Sequence, residues 1–139
     1  MWGDLMLTEY IVKDLIKSLN ITGIEHYYVG TLKEKEEKSL GIYSDGYSDE
    51  RVGISKNTMY LRLLVHWNDS PGQTLLQTIE VKKALDKLCN EIWNRKEIKI
   101  NDIKITRMKC GTPIDVDCDE NDIFERVLHL EIDYVNEVK

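Results

Sequence analysis

The stretch with the densest set of chemistry-bearing side chains is acidic and spans residues 111–125, GTPIDVDCDENDIFE. Asp115, Asp117 and Asp119 stand two residues apart in it, as do the aspartates that open an EF-hand calcium loop. Such a loop also needs glycine at its sixth position and a bidentate glutamate at its twelfth. This chain has a glutamate and an arginine there instead. We therefore expect no calcium site, and interpret the stretch as a long acidic loop that is solvated or faces a partner.

Histidines and nucleophile motifs give no stronger indication of catalysis. His26, His66 and His129 fall on three different predicted strands and lack the H-x-x-x-H or H-E-x-x-H spacing of a metal helix. The chain contains no G-x-S-x-G elbow, phosphate loop or G-x-G-x-x-G turn. Glycoside hydrolysis needs a pair of carboxylates, and nothing in the sequence singles out two of its 25 acidic residues as such a pair. We expect no catalytic residue, metal or cofactor; an enzyme using acids within residues 115–125 is kept as a third alternative.

The composition indicates one folded, acidic domain. A chain of 139 residues is the size of a single domain and can bury a core without disulfides or metals. Apolar residues make up 42% and the net charge is −6. This acidity argues against binding to nucleic acid or to an anionic membrane. The three cysteines, Cys89, Cys110 and Cys118, are odd in number and lack metal spacing, so we expect free thiols.

Two amphipathic helices are predicted. The first runs from an N-cap at Asp4 to about Leu19 and ends at a turn containing Gly23. Its apolar stripe has a 3.6-residue period and comprises Leu5, Thr8, Ile11, Val12, Leu15, Ile16 and Leu19. The second begins with Ser70 as N-cap, Pro71 as first helical residue and Gln73 as the reciprocal partner of a capping box. It reaches residue 94, and its core stripe comprises Val81, Ala84, Leu85, Leu88 and Ile92.

Strands fill most of the remaining chain. Alternating or β-branched runs predict strands at 24–32, 40–44, 51–54, 59–67 and 126–135, with turn chemistry at 45–49 and a break at 56–57. Residues 97–105, EIKINDIKI, predict a hairpin that turns at Asn101-Asp102 and pairs Ile100 with Ile103. Together these elements predict a single α+β domain over residues 1–139. It has a mostly antiparallel sheet of about five to six strands with two main helices packed on it.

The candidate contact residues are apolar or charged side chains that do not belong to the predicted core. Leu75, Leu76 and Ile79 project a right angle or more from the core stripe of the second helix, at about 100° per residue. Either the helix starts later or a loop covers this end, or the three side chains meet another subunit.

Further candidates lie outside the helices. Tyr43 belongs to a set of tyrosines near the main strand, a residue type common at interfaces. Lys35 and Glu36 lie in the charge run KEKEEK, a solvated loop or an arm that meets a neighbouring subunit. Asp115 and Asp117 would present charge to a partner.

Several of these stretches resemble small phage proteins described as minor capsid proteins. Residues 35–43, KEEKSLGIY, resemble their charged loop and following strand, and residues 64–68, LVHWN, resemble the end of their central strand before a long helix. Residues 113–117, PIDVD, and 124–127, FERV, resemble their carboxyl-terminal part. In size and layout these proteins are similar to tail-terminator (tail-completion) proteins of long-tailed phages. The resemblance covers roughly residues 25–135.

The resemblance implies a virion structural protein, found in the virion tail or neck and in the host cytoplasm during assembly. Terminators of this kind form a homo-oligomeric ring, a hexamer, at the head-proximal end of the tail tube. There they end tail polymerisation and enable head–tail joining. The partners implied are other copies of the chain, the tail-tube protein and head-completion or connector proteins, with no catalytic residues and no cofactor.

Two other readings remain open at this point. A head-completion or neck role would fit the same resemblance. A bacterial non-enzymatic adaptor or binding domain would fit the residue patterns alone. The tail-terminator reading predicts a ring under negative-stain microscopy and capping of tube assembly, whereas the adaptor reading predicts a discrete partner or ligand and no ring.

Overall fold

The computed structural model describes residues 7–30, 37–50, 56–100, 102–118 and 123–136. These residues form two helices and seven strands, which confirms the predicted α+β class. In chain order the elements are α1 (Glu9–Lys17), β1 (His26–Val29), β2 (Ser39–Glu50), β3 (Lys56–His66), α2 (Pro71–Trp93), β4 (Ile98–Ile100), β5 (Ile103–Cys110), β6 (Ile114–Cys118) and β7 (Phe124–Asn136).

The strands form one mixed sheet. Its order is β1-β2-β3-β7-β5-β4, and β6 pairs with the same strand, β7, beyond the end of β5. Only β1 and β2 pair in parallel, and every other described pair is antiparallel. The predicted hairpin is confirmed in its register, with Ile100 opposite Ile103 and Ile98 opposite Ile105.

One face of the sheet carries the core. Helix α1 contacts β1 and β2, and α2 contacts β5, β7 and β3. Strand alternation aims every second side chain at the helices. The buried set includes Leu40, Ile42, Met59, Leu61, Leu63, Val65, Ile103, Ile105, Leu128, Leu130, Ile132 and Tyr134. We call this the inner face, and the opposite one the outer face; within the described chain both helices pack on the inner face.

Helix α1 starts later than the sequence predicts. Its N-cap is Thr8, whose side chain accepts a hydrogen bond from the Ile11 amide at 3.3 Å. The predicted cap, Asp4, lies outside the described residues. Thr8 therefore caps the helix instead of continuing its apolar stripe, because an N-cap hydroxyl satisfies an amide that has no partner within the helix.

The prediction of a turn at 45–49 is wrong. Strand β2 continues through this stretch to Glu50 and pairs with β3 throughout. The turn-forming residues are accommodated by a bulge between Ser44 and Gly46, where the glycine has φ +121°. A bulge takes one extra residue and lets the strand go on. The strand predicted at 51–54 lies outside the described residues.

Two further boundaries are corrected. The break predicted at 56–57 is absent, because Lys56 and Asn57 pair with both β2 and β7. The loop predicted over 111–125 contains a strand, β6, and β7 already begins at Phe124. Alternating Ile114, Asp115 and Val116 form an ordinary edge-strand pattern, which the high aspartate content of this stretch concealed.

Helix α2 begins with Ser70 as N-cap and Pro71 as first helical residue, as the sequence predicts, but the reciprocal contact of the predicted capping box is different. The Ser70 hydroxyl accepts from the Gln73 amide at 3.2 Å, and Pro71 is the first helical residue. The reciprocal contact comes from Asn68, whose Oδ1 accepts from the Ser70 amide at 3.0 Å, while Asn68 Nδ2 donates to Gln73 Oε1. The side chain of Gln73 therefore fixes Asn68 instead of the N-cap amide.

The inward face of α2 does not stop at Val81. It continues towards the N-terminus through Thr74, Gln77 and Thr78, all of them buried. Each polar side chain has a partner: Thr74 Oγ1 donates to Ser70 O, Thr78 Oγ1 to Thr74 O, and Gln77 Nε2 to Thr22 O at 2.8 Å. The proposal that the helix starts later is thus wrong, because polar residues with hydrogen bonds replace apolar ones on its front half.

Gly23 lies in the turn after α1, where an added side chain would clash with its neighbours and lower stability. This glycine has φ +96°, and an added Cβ would lie 2.9 Å from Gln77 Oε1 and 3.0 Å from Trp67 Cη2. Backbone strain and overpacking together should make Gly23→Ala lower the free energy of unfolding by about 2–4 kcal/mol in a urea titration.

Gly30 is the matched control, because its φ is +78° but an added Cβ would meet no described atom within 4 Å. Gly30→Ala should lower the free energy of unfolding by backbone strain alone, about 1–2 kcal/mol. Equal losses for the two variants would contradict the packing of Gln77 and Trp67 against this turn.

Candidate functional site

Two of the three apolar candidates on α2, Leu76 and Ile79, line a cleft beside the helix start, and Leu75 does not. Leu76 is 65% exposed, whereas Leu75 and Ile79 are half-buried. A cleft of about 450 Å³ is lined by Trp67, Gln73, Leu76, Gln77, Ile79, Glu80 and Lys83. Leu76 is therefore exposed at the edge of this cleft and remains a candidate contact residue.

Tyr43 lies on a different surface. Its Cα partner across β2 and β3 is Arg62, whose guanidinium carbon lies 5.6 Å from the tyrosine ring centroid. Arg62 Nε also donates to Asp45 Oδ1 at 2.8 Å. Tyr43 therefore belongs to a polar and aromatic group on the outer face, and the structure does not bring it together with Leu76.

The acidic candidates lie on β6. Asp115 faces Arg126 of β7, with 3.9 Å between Oδ2 and Nη2, and its side chain is 67% exposed. The backbone of Asp117 pairs with Glu125. Lys35 and Glu36 lie outside the described residues, as does Asp119. Among the described residues no group of three or more His, Cys, Asp or Glu side chains is placed to hold a metal ion.

The outer face carries an apolar row that the sequence analysis missed. Ile114 of β6 pairs with Val127 of β7, which pairs with Leu64 of β3, which in turn pairs with Gly41 of β2. Ile114 is 47% exposed, and Leu64 and Val127 are half-buried. The only sequence signal was the alternation in 114–116, since register between distant strands cannot be read from one chain's pattern.

A buried hydrogen-bonded pair of side chains closes this end of the sheet. His66 Nδ1 lies 2.8 Å from Glu125 Oε2, and the two side chains are 4% and 18% exposed. Backbone bonds tie the same strands together: Trp67 N donates to Phe124 O, Phe124 N to Asn68 O, and Lys38 N to Trp67 O. The ends of β3 and β7 are thus held firmly where α2 begins.

This pair should matter more to stability than an exposed pair on the same strand. Glu125→Ala leaves the buried imidazole without its carboxylate and should lower the free energy of unfolding by about 1–3 kcal/mol. Glu131→Ala removes the exposed partner of Arg107 (2.9 Å) and should cost less than about 1 kcal/mol. Denaturant titrations of both variants test this order, and a larger loss for Glu131→Ala would contradict it.

A second cleft, of about 470 Å³, lies between the end of α2 and β5. Trp93 stands at its rim with 80% of its surface exposed. Cys89 and Cys110 lie nearby as free thiols. Burial raises the pKa of both, that of Cys110 to about 12. Thiols that stay protonated at neutral pH are poor nucleophiles.

The raised pKa of Cys110 predicts a loss of stability in alkali. The fold favours the neutral thiol, so its contribution is complete below the ordinary pKa of 9.0 and is lost as the pH rises towards 12. The free energy of unfolding should therefore fall from about pH 9 upwards, and Cys110→Ala should make that fall shallower. Identical pH slopes for wild type and variant would contradict the assignment.

Comparisons with known proteins do not identify a family for this chain. No family model matches the chain, and no curated protein matches it. Within the described residues, neither helix combines the length and apolar character needed to cross a lipid bilayer.

Proposed function

We propose that the chain is a phage tail-terminator (tail-completion) protein. It forms a ring on the head-proximal end of the tail tube, stops tube growth and presents a surface for joining the head. It acts through contacts with copies of itself, with the tail-tube protein and with head-side connector proteins, and carries out no chemistry. A head-completion or neck protein is the closest alternative within the same class.

The observation that carries this proposal is where the phage-like segments lie. They are separated by up to dozens of residues in the sequence but fall on four laterally adjacent strands. Residues 40–43 of β2 pair with the end of β3, residues 64–66 of β3 pair with the start of β7, and residues 114–117 of β6 pair with residues 125–127 of β7. These segments therefore lie side by side on one strip of the sheet, as parts of one contact surface would.

The exposed apolar side chains of the same end support a contact function. Leu76 beside the start of α2 and Ile114 on the outer face are both exposed. Their distribution over two faces suits a subunit with more than one neighbour. The net charge of −6 suits a ring through which DNA passes without binding.

Substitution of Leu76 tests the proposal. Leu76→Asp removes little from the core, because the side chain is 65% exposed, but places a charge in the proposed contact. Mixed with polymerising tail-tube subunit, the wild type should give short tubes with a ring at one end under negative-stain microscopy. Leu76→Asp should give longer, uncapped tubes, because burying an unpaired carboxylate opposes the contact.

Lys87→Asp is the control, since Lys87 is exposed on the same helix and no proposed contact includes it. It should cap tubes as the wild type does. A wild-type protein that neither forms rings nor changes tube length would overturn the proposal, and capping of a head portal instead would favour the neck role.

A further inference from the structure

Strand β1 lies at the end of the sheet and has one open edge. It pairs in parallel with β2, and within the described chain no strand lies on its other side. The amides of His26 and Gly30 donate to carbonyl groups on the β2 side, at 3.3 Å and 2.9 Å. Because the main-chain groups of alternate residues face opposite sides of a strand, those of Tyr27 and Val29 face the open edge.

Helix α1 makes this edge one wall of a groove. A cleft of about 490 Å³ lies between the two elements. Lys13 and Lys17 of α1, with Asn20 from the turn that follows, line one side of the cleft, and residues 25–28 line the other. An exposed sheet edge can accept an extended segment as an added strand, which main-chain hydrogen bonds hold in place. The groove therefore has the form of a strand-binding site.

The groove carries positive charge in a chain whose net charge is −6. Lys13 is half-buried and Lys17 is exposed, and neither forms an ion pair with another described residue. Lys13 Nζ lies 5.9 Å from the ring centroid of Tyr10, a contact that does not neutralise its charge. Among the described residues that line the cleft, Glu25 alone is acidic. Charge complementarity therefore favours an acidic occupant.

The spacing of the two lysines suits an extended occupant. Four residues of a helix span about 6 Å along its axis, and alternate side chains of a strand stand about 6.7 Å apart. A strand beside β1 can thus present carboxylates two residues apart to Lys13 and Lys17. Its intervening side chains would face the opposite side, where the rings of His26 and Tyr28 stack with centroids 6.2 Å apart. The expected ligand has an acidic residue at every second position.

We propose that the groove between α1 and β1 binds an extended acidic segment of a partner protein, which adds to the sheet as a strand beside β1. The main-chain groups of Tyr27 and Val29 hold the segment in place, and Lys13 and Lys17 select its charge. This site does not depend on the tail-terminator function, because it is a different cleft from the one beside Leu76 and its ligand is not another copy of the chain.

Peptide binding tests the proposal directly. The probe is a fluorescein-labelled peptide of eight residues that alternates glutamate and valine, with blocked ends. Wild-type protein should raise its fluorescence anisotropy in a saturable manner, whereas a peptide that alternates lysine and valine should not bind. Two further probes carry N-methyl groups on the glutamates or on the valines. Only one of these should lose binding, because alternate residues of an added strand face β1.

Substitution of Lys17 tests the position of the site. Lys17→Glu should raise the Kd for the acidic peptide at least about tenfold, because it replaces an attraction with a repulsion. Lys87→Glu is the matched control, since it makes the same change of charge at an exposed position on α2 and lines no part of this groove. It should leave the Kd within about twofold of the wild type. Circular dichroism verifies that both variants fold.

Hydrogen exchange gives a readout that charge alone would not move. Binding of the acidic peptide should slow exchange of the Tyr27 and Val29 amides in NMR spectra, because the added strand accepts hydrogen bonds from them. The Gly30 amide already donates to Ile42 O and should change little.

The other outcomes overturn the proposal in distinguishable ways. A wild-type Kd weaker than about 1 mM would show that the groove does not bind such segments. Equal Kd values for Lys17→Glu and Lys87→Glu would place the peptide elsewhere. Unchanged binding of both N-methylated peptides, or equal binding of a labelled single-stranded oligonucleotide, would indicate a general anion site without strand addition. Self-association that Lys17→Glu abolishes, without peptide binding, would identify a second copy as the occupant.

Discussion

The pairing of β3 with β7 is the constraint on which the rest of the structure depends. It runs over eleven residue pairs, from Lys56 opposite Val135 to His66 opposite Glu125. Because side chains alternate, a slip of one strand by one residue would turn its core side chains to solvent. The same register that sends Leu63 and Leu128 inward also sets Leu64 beside Val127 on the outer face. Core and candidate surface are thus fixed by one alignment.

The two ends of this strand pair are secured differently. At one end the side chains of His66 and Glu125 form a largely buried hydrogen bond next to the start of α2. At the other, Thr58 Oγ1 donates to Asp133 Oδ1 at 2.7 Å, and Arg107 Nη1 lies 3.4 Å from Asp133 Oδ2. Asp133 is only 2% exposed although it faces outward. Polar contacts of this kind disfavour a slipped register, because any shift would leave buried charges without partners.

The same structure leaves some apolar surface uncovered. Buried polar groups of the described chain are used in caps, in the α2 interior and at the ends of β3 and β7. Exposed apolar or aromatic side chains include Leu76, Ile114 and Trp93, and strand edges lie at both sides of the sheet. Exposed edges are a hazard for a free monomer and an asset for a subunit that is meant to be covered.

Local signals predicted the elements that local physics determines. Ser70 and Pro71 fixed the start of α2, and the symmetry of 97–105 fixed the register of Ile98 with Ile105. Turn propensity failed in β2, where pairing with β3 along its whole length outweighed the preference of Asp45 and Gly46 for a turn.

The candidate site was predicted only in part. Leu76 was identified from the helical period alone. The row through Leu64 and Ile114 was not, because it exists only after strands far apart in sequence have paired. Trp93 was missed because it directly follows Ile92 of the core stripe, and the period alone did not single it out.

The most direct test of the account is electron microscopy of the wild-type protein bound to purified tail tubes. The account predicts a closed ring of several copies at one end of each tube and none along its length. Single copies scattered along the tube, or no binding at either end, would contradict it.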